Sequence, residues 1–159
     1  MIKKPQADRF INMMKTGIVL LTLGVFFIGC GEEDAVPTAT AAETVTTPSA
    51  GSFQEVSSHP FVGAGHSVSG TVKTLKHSVS NDYTYELSNF NSQNGPDLFV
   101  YVSKDLQASQ FVDLGPLRST NGNLVYSATA AQLANTDAQY LLIWCKKFSV
   151  LFGSARIGP

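Results

Sequence analysis

From Gly51 onward, short runs of aromatic and β-branched residues are cut at close intervals by turn-forming residues. Such spacing leaves room for strands and tight connections and little else. Gly70-Thr-Val-Lys-Thr-Leu75 alternates polar and apolar positions and predicts a strand. Tyr83 to Phe90 follows the Asn81-Asp82 turn and places Tyr83, Tyr85 and Leu87 on one face. Leu98 to Ser103 is an apolar run, the pattern of a strand buried on both faces. It is entered through Asn94-Gly95-Pro96-Asp97, where Gly accepts φ > 0 and Pro fixes φ. Phe111 to Leu114 ends at Gly115-Pro116, and Asn121-Gly122 introduces Asn123 to Tyr126. Tyr140 to Cys145 and Phe148 to Phe152 read as a hairpin with Lys146 and Lys147 at its turn. Ala128 to Ala138 has room for a helical turn, without a recognisable cap. The expected fold is an all-β antiparallel sandwich, with a barrel as the alternative.

The N-terminus follows other rules. Lys3, Lys4, Arg9 and Lys15 form a basic segment, and Thr16 to Gly29 is apolar and uncharged. That run is shorter than the roughly 20 residues a membrane-spanning helix needs, and it fits the apolar region of a signal peptide. It closes with Phe27-Ile28-Gly29-Cys30, which resembles the lipobox of bacterial lipoproteins, with Phe27 in place of the usual Leu. The resemblance implies that Cys30 is acylated and becomes the first mature residue, held at a membrane of the cell envelope. Met13 or Met14 would also serve as a start, because Lys15 and the apolar run already make a complete signal.

Between Cys30 and Gly51 the chain passes from acidic (Glu32, Glu33, Asp34) to Ala, Thr, Pro and Ser, with no apolar periodicity. Such a segment cannot bury enough surface to offset its ordering entropy, so it reads as a flexible tether. The expected organisation is a signal peptide (1–29), a lipidated Cys30 with its linker (30–51), and one sandwich domain (52–159) facing the periplasm or the exterior. From Cys30 on there are seven basic and eleven acidic residues, a net charge of −4. No basic stripe is present, which argues against nucleic-acid binding.

Several blocks in this order are more specific. Asn94-Gly-Pro-Asp-Leu98, Val100-Tyr-Val-Ser103, Asp113-Leu-Gly115, Ile143-Trp-Cys-Lys146 and Phe148-Ser-Val-Leu-Phe-Gly153 together resemble the DM13 domain over roughly Gly51 to Ile157. The stretch Ser127-Ala-Thr-Ala lacks a Pro expected there, so the loop after Tyr126 is expected to differ in shape. The resemblance implies a β-sandwich of extracellular and envelope proteins. It also implies an electron-transfer module built on one cysteine, a bare thiol or a haem ligand, which corresponds here to Cys145.

With Cys30 lipidated, Cys145 has no intramolecular partner, and a lone thiol in an oxidising compartment is open to redox chemistry. Lys146 and Lys147 could lower its pKa if an ammonium sat beside the sulfur. Its alternation with Ile143 equally suits a small buried hydrophobe, with Trp144 on the opposite face. Metal and cofactor chemistry is narrowed by counting ligands. Structural zinc needs four, and His59, His66 and His77 are scattered. Every Met precedes Cys30, which disfavours a blue-copper site, and no Cys-x-x-Cys-His is present for covalent haem. One cysteine is too few for an iron–sulfur cluster. What survives is haem with Cys145 as axial ligand, a His such as His66 opposite, or no cofactor. Asp97 and Asp113 sit beside turns and read as turn formers ahead of a Ca²⁺ or acid–base pair. No P-loop, Gly-x-Ser-x-Gly or His-Glu-x-x-His motif occurs, which disfavours a hydrolase. The expected partners are the membrane, through Cys30, and a redox protein. The alternative is a non-enzymatic binding or adhesion module.

Overall fold

The computed structural model describes residues 52–158 and the backbone of Ala41–Ala42. The expected signal peptide, the lipidation site Cys30 and the rest of the linker lie outside the described residues. Among the described residues, no helix is long and apolar enough to cross a membrane.

The alternation seen at Gly70–Leu75 continues in both directions, giving β4 (Val68–His77), which pairs with β5 (Tyr83–Ser92) across the Asn81-Asp82 turn. β5 pairs in turn with β8 (Asn121–Ala128), and β2 (Phe53–Pro60) covers the far edge of β4. The second sheet follows the order β3 (Val62–Gly63), β10 (Val150–Arg156), β9 (Tyr140–Cys145), β6 (Leu98–Ser103), β7 (Phe111–Pro116). All these pairings are antiparallel. The two sheets are separate, so the fold is a sandwich and the barrel alternative does not occur. Within the expected linker, β1 (Ala41–Ala42) adds in parallel to the free edge of β8 at Gly122 and Asn123.

Period-two alternation explains the core. Val72, Leu87 and Leu124 lie side by side across the first sheet. Val100 with Ile143 and Val102 with Leu141 do the same across the second. All seven are 0–1 % exposed, so the two apolar faces seal against each other. Thr74 is a polar residue at an inward position. It is 1 % exposed and stands opposite Tyr85, and its hydroxyl finds no hydrogen-bond partner among the described residues. An unpaired buried hydroxyl costs about 1–3 kcal/mol.

Three expectations are corrected. Asn121-Gly122 is not a turn but lies inside β8, where Gly122 (φ 106) faces Phe90 beside a bulge. Asn89 (φ 49) occupies the left-handed region there, and its N–H donates to Asn123 Oδ1 at 3.0 Å. On the other side of β5, Gly70 (φ 110) opens a bulge in β4. Gly70, Asn89 and Gly122 thus bend three neighbouring strands at one level, and Asn-Gly marks that bend. His59, which precedes Pro60 and so suggests a loop in the sequence, lies in β2, opposite Val72. β2 escaped the sequence reading because it is an edge strand whose residues are mostly exposed and lack a clean apolar face. The Ala-rich stretch does have a cap. Thr129 and Gln132 form a capping box on the single-turn helix α1 (Ala130–Leu133), whose first N–H donates to Asp82 Oδ1 at 2.9 Å.

A Cβ at Gly70 would lie 2.8 Å from Phe90 Cα and 2.9 Å from the carbonyls of Ser88 and Asn89. These are backbone atoms and cannot rotate away. Gly70→Ala should therefore destabilise the protein by about 2 kcal/mol or more in urea unfolding, whereas Ala at the open Gly115 should cost less.

Candidate functional site

Cys145 is the last residue of β9 and points inward with Ile143, as the alternation requires. It is 0 % exposed. Its strand neighbours are Leu98 on β6 and Val150 on β10. The thiol donates to the carbonyl oxygen of Pro96, with a sulfur–oxygen distance of 3.1 Å. That bond requires the proton on sulfur.

The turn that supplies this carbonyl is held at several points. Asn94 Oδ1 accepts from Gly95 N at 2.9 Å, and Asp97 takes a left-handed φ of 54°. Lys146 N donates to Asp97 O at 2.9 Å, tying the turn to the residue after Cys145. Gly95 has no space for a side chain, because a Cβ would stand 2.6 Å from the tip of the Phe152 ring. His66 stacks on that ring, centroids 3.7 Å apart and 7° from parallel, and its Nδ1 is buried without a partner. The sequence paired Cys145 with His66 as possible ligands. In the fold His66 is stacked on Phe152 while the sulfur is bonded to the Pro96 carbonyl. A haem ligated by Cys145 needs an open face on the sulfur. Here that face is taken by the Pro96 carbonyl and packed core, so the residues as arranged do not fit haem.

The expected effect of Lys146 on the sulfur is also corrected. Residues 144 and 146 alternate with 145 and point outward. The Lys146 ammonium lies 4.1 Å from the centre of the Phe99 ring and 3.6 Å from Asp113 Oδ2. Asp113 also accepts from Gly115 N at 2.8 Å, but it lies within β7 opposite Tyr101, so the turn expected at Gly115-Pro116 is instead a bulge inside that strand. Among the described residues, no group of three or more His, Cys, Asp or Glu is placed to hold a metal ion.

On this outer face the second sheet carries an aromatic cluster. Tyr101 stacks on Phe111 at 4.2 Å, with Trp144 at 6.2 Å and Phe99 at 6.4 Å. Tyr101 is 2 % exposed although it lies outside the core, because its neighbours roof it over. Burial, helped by the nearby carboxylates of Asp113 and Asp97, pushes its phenol up to about 12.

A family model described as "Electron transfer DM13" matches residues 60–157, more than half of the 159-residue chain. The chain belongs to the DM13 electron-transfer family. No curated protein and no solved structure matched it. Three of the blocks that carry the DM13 resemblance, Asn94–Leu98, Ile143–Lys146 and Phe148–Gly153, meet at the Cys145 sulfur or at the turn above it. Sequence reading singled out Cys145 and the turn but not their bond. It missed Phe152, whose only signal was its place in the last block.

Two predictions follow from this packing. Gly95→Ala forces the turn away from Phe152, so it should destabilise the DM13 domain by about 1–3 kcal/mol and speed alkylation of Cys145 in native buffer. Tyr101 should titrate late, near pH 12, in the tyrosinate absorbance, and Tyr101→Phe should remove that component. Because its folded pKa is raised, the stabilisation is whole below about pH 10 and fades as pH climbs through 12.

Proposed function

We propose that the protein is an electron-transfer module of the bacterial cell envelope, anchored by lipid on Cys30, and that its redox group is the Cys145 thiol itself. The observation that carries this reading is the convergence of separate family blocks on one sulfur. Electron-transfer function belongs to the family. Within this domain, Cys145 is the free cysteine. The bare thiol is preferred to haem because the sulfur already has a partner in Pro96 O and lies in packed core. Exchange with a redox partner protein then requires the Asn94–Asp97 turn to lift, since its carbonyl covers the sulfur. Gating of that kind keeps a lone thiol from adventitious oxidation in an oxidising compartment.

One observation favours a second reading, a non-enzymatic binding module. The outer aromatic face includes Phe111, 43 % exposed, while Cys145 is buried. On that reading Phe111→Ala would abolish attachment to a target and Cys145→Ala would not.

The test is a redox titration of the purified protein beside Cys145→Ala, with visible spectra recorded before and after adding haem. The expected result is a colourless protein that stays so with haem and, in a glutathione redox buffer, a reversible mixed disulfide formed as the Cys145 sulfur displaces one glutathione thiol from glutathione disulfide, which Cys145→Ala abolishes. A haem band lost in Cys145→Ala would replace the bare thiol by a ligand. Identical redox behaviour of both proteins would remove Cys145 from the function. Cys30→Ser should in addition move the protein from the membrane fraction to the soluble one.

A further inference from the structure

At the end of the sandwich where β9 begins, away from Cys145, the inner face of the first sheet runs on past the core. Thr74 and Lys76 on β4 stand opposite Tyr85 and Tyr83 on β5. Here α1 and the segment leading to β9 form the facing wall, and a cleft of about 290 Å³ opens between them. α1 is fixed in place by the Asp82 carboxylate, which accepts from Ala130 N.

The lining has a consistent chemistry. Tyr83 and Tyr85 present near-parallel rings, 11° apart with centroids at 6.4 Å, and Leu133, Ala138 and Ile157 supply aliphatic surface. Lys76 brings a cation, its Nζ 5.6 Å from the centre of the Tyr83 ring, and among the described residues no carboxylate lines the cleft. Thr74 contributes a hydroxyl that is buried and has no partner among the described residues, and its side chain is part of the cleft lining. A 120° step about χ1 moves the hydroxyl into the place the methyl holds, one of the three staggered wells open to it.

We propose that this cleft binds a small planar aromatic acid, with the ring between the tyrosines and the aliphatic wall and the carboxylate held by Lys76 and Thr74. The volume lies at the lower end of the range for ligand sites, which suits one or two fused rings. A single cation without a carboxylate selects a monoanion, and flat tyrosine faces select a flat body. Thr74 adds an independent argument. An unsatisfied hydroxyl inside a core is normally replaced by an apolar isostere or paired. Here a ligand oxygen would be the missing acceptor. Burial pushes the Tyr85 phenol well above its ordinary value, so it stays protonated and keeps an O–H to donate.

The test uses the full chain with 1-naphthoate as the probe, and with 1-naphthalenemethanol and cyclohexanecarboxylate as controls. Binding is read by tyrosine fluorescence and by the shift in Tm. 1-Naphthoate should bind saturably and more tightly than either control. Thr74→Val should raise the Tm of the free protein, because it removes the unpaired hydroxyl, yet weaken naphthoate about tenfold. Lys76→Gln should weaken naphthoate by a similar factor and leave the neutral alcohol unchanged. Cys145→Ala should leave binding unchanged, which separates this site from the thiol chemistry. Absence of saturable naphthoate binding would overturn the proposal. So would equal affinity for the alcohol, or undiminished binding by Thr74→Val and Lys76→Gln.

Discussion

Everything in this domain depends on two sheets closing their apolar faces over one layer of aliphatic side chains. Val72, Leu87 and Leu124 meet Val100, Val102, Leu141 and Ile143 with essentially no exposure. At roughly 25 cal/mol per Å² of apolar surface, this layer supplies most of the drive to fold, and among the described residues no disulfide supplements it. Every inward position therefore answers to packing first. Cys145 and Thr74 are inward positions whose chemistry exceeds what packing needs. One sits at each end of the layer.

The two ends differ in how their polar atoms are satisfied. At the Cys145 end, the sulfur has the Pro96 carbonyl, and the turn carrying it is tied back by Lys146 N and by the Phe152 ring under Gly95. That end is closed and would have to open in order to act. At the Thr74 end the hydroxyl is unpaired and a cleft is already formed. A closed thiol and an open cleft place different demands on motion, and the bend through Gly70, Asn89 and Gly122 lies well away from the cleft.

The strands with strong alternation or continuous apolar runs were legible in the sequence: β4, β5, β6, β9 and the inward direction of Cys145. Each buries at least one face, so hydrophobic pattern and final geometry share a cause. β2 was not legible because an edge strand can be polar on both faces. Asn121-Gly122 misled because the same left-handed preference serves a turn and a bulge. Thr129 and Gln132 form a local Thr-x-x-Gln capping box that the sequence reading passed over, and Asp82, forty-eight residues before Ala130, adds an acceptor at the helix start. For the site, Cys145 and the Asn94–Asp97 turn were visible as residues. Their bond was not, because local spacing says nothing about which carbonyl a sulfur will meet.

Trp144 is the chain's single tryptophan, and it is joined by one peptide bond to the thiol. The alternation of β9 sends the indole into the outer aromatic cluster and the sulfur into the interior. The protein thus carries an intrinsic emitter on the strand that holds its cysteine, with no second indole to blur the signal. Any event that shifts the end of β9, whether oxidation of the sulfur, lifting of the turn or docking on the outer face, reaches that fluorophore within one residue. The motions of this strand can be followed in the native chain without attaching a label.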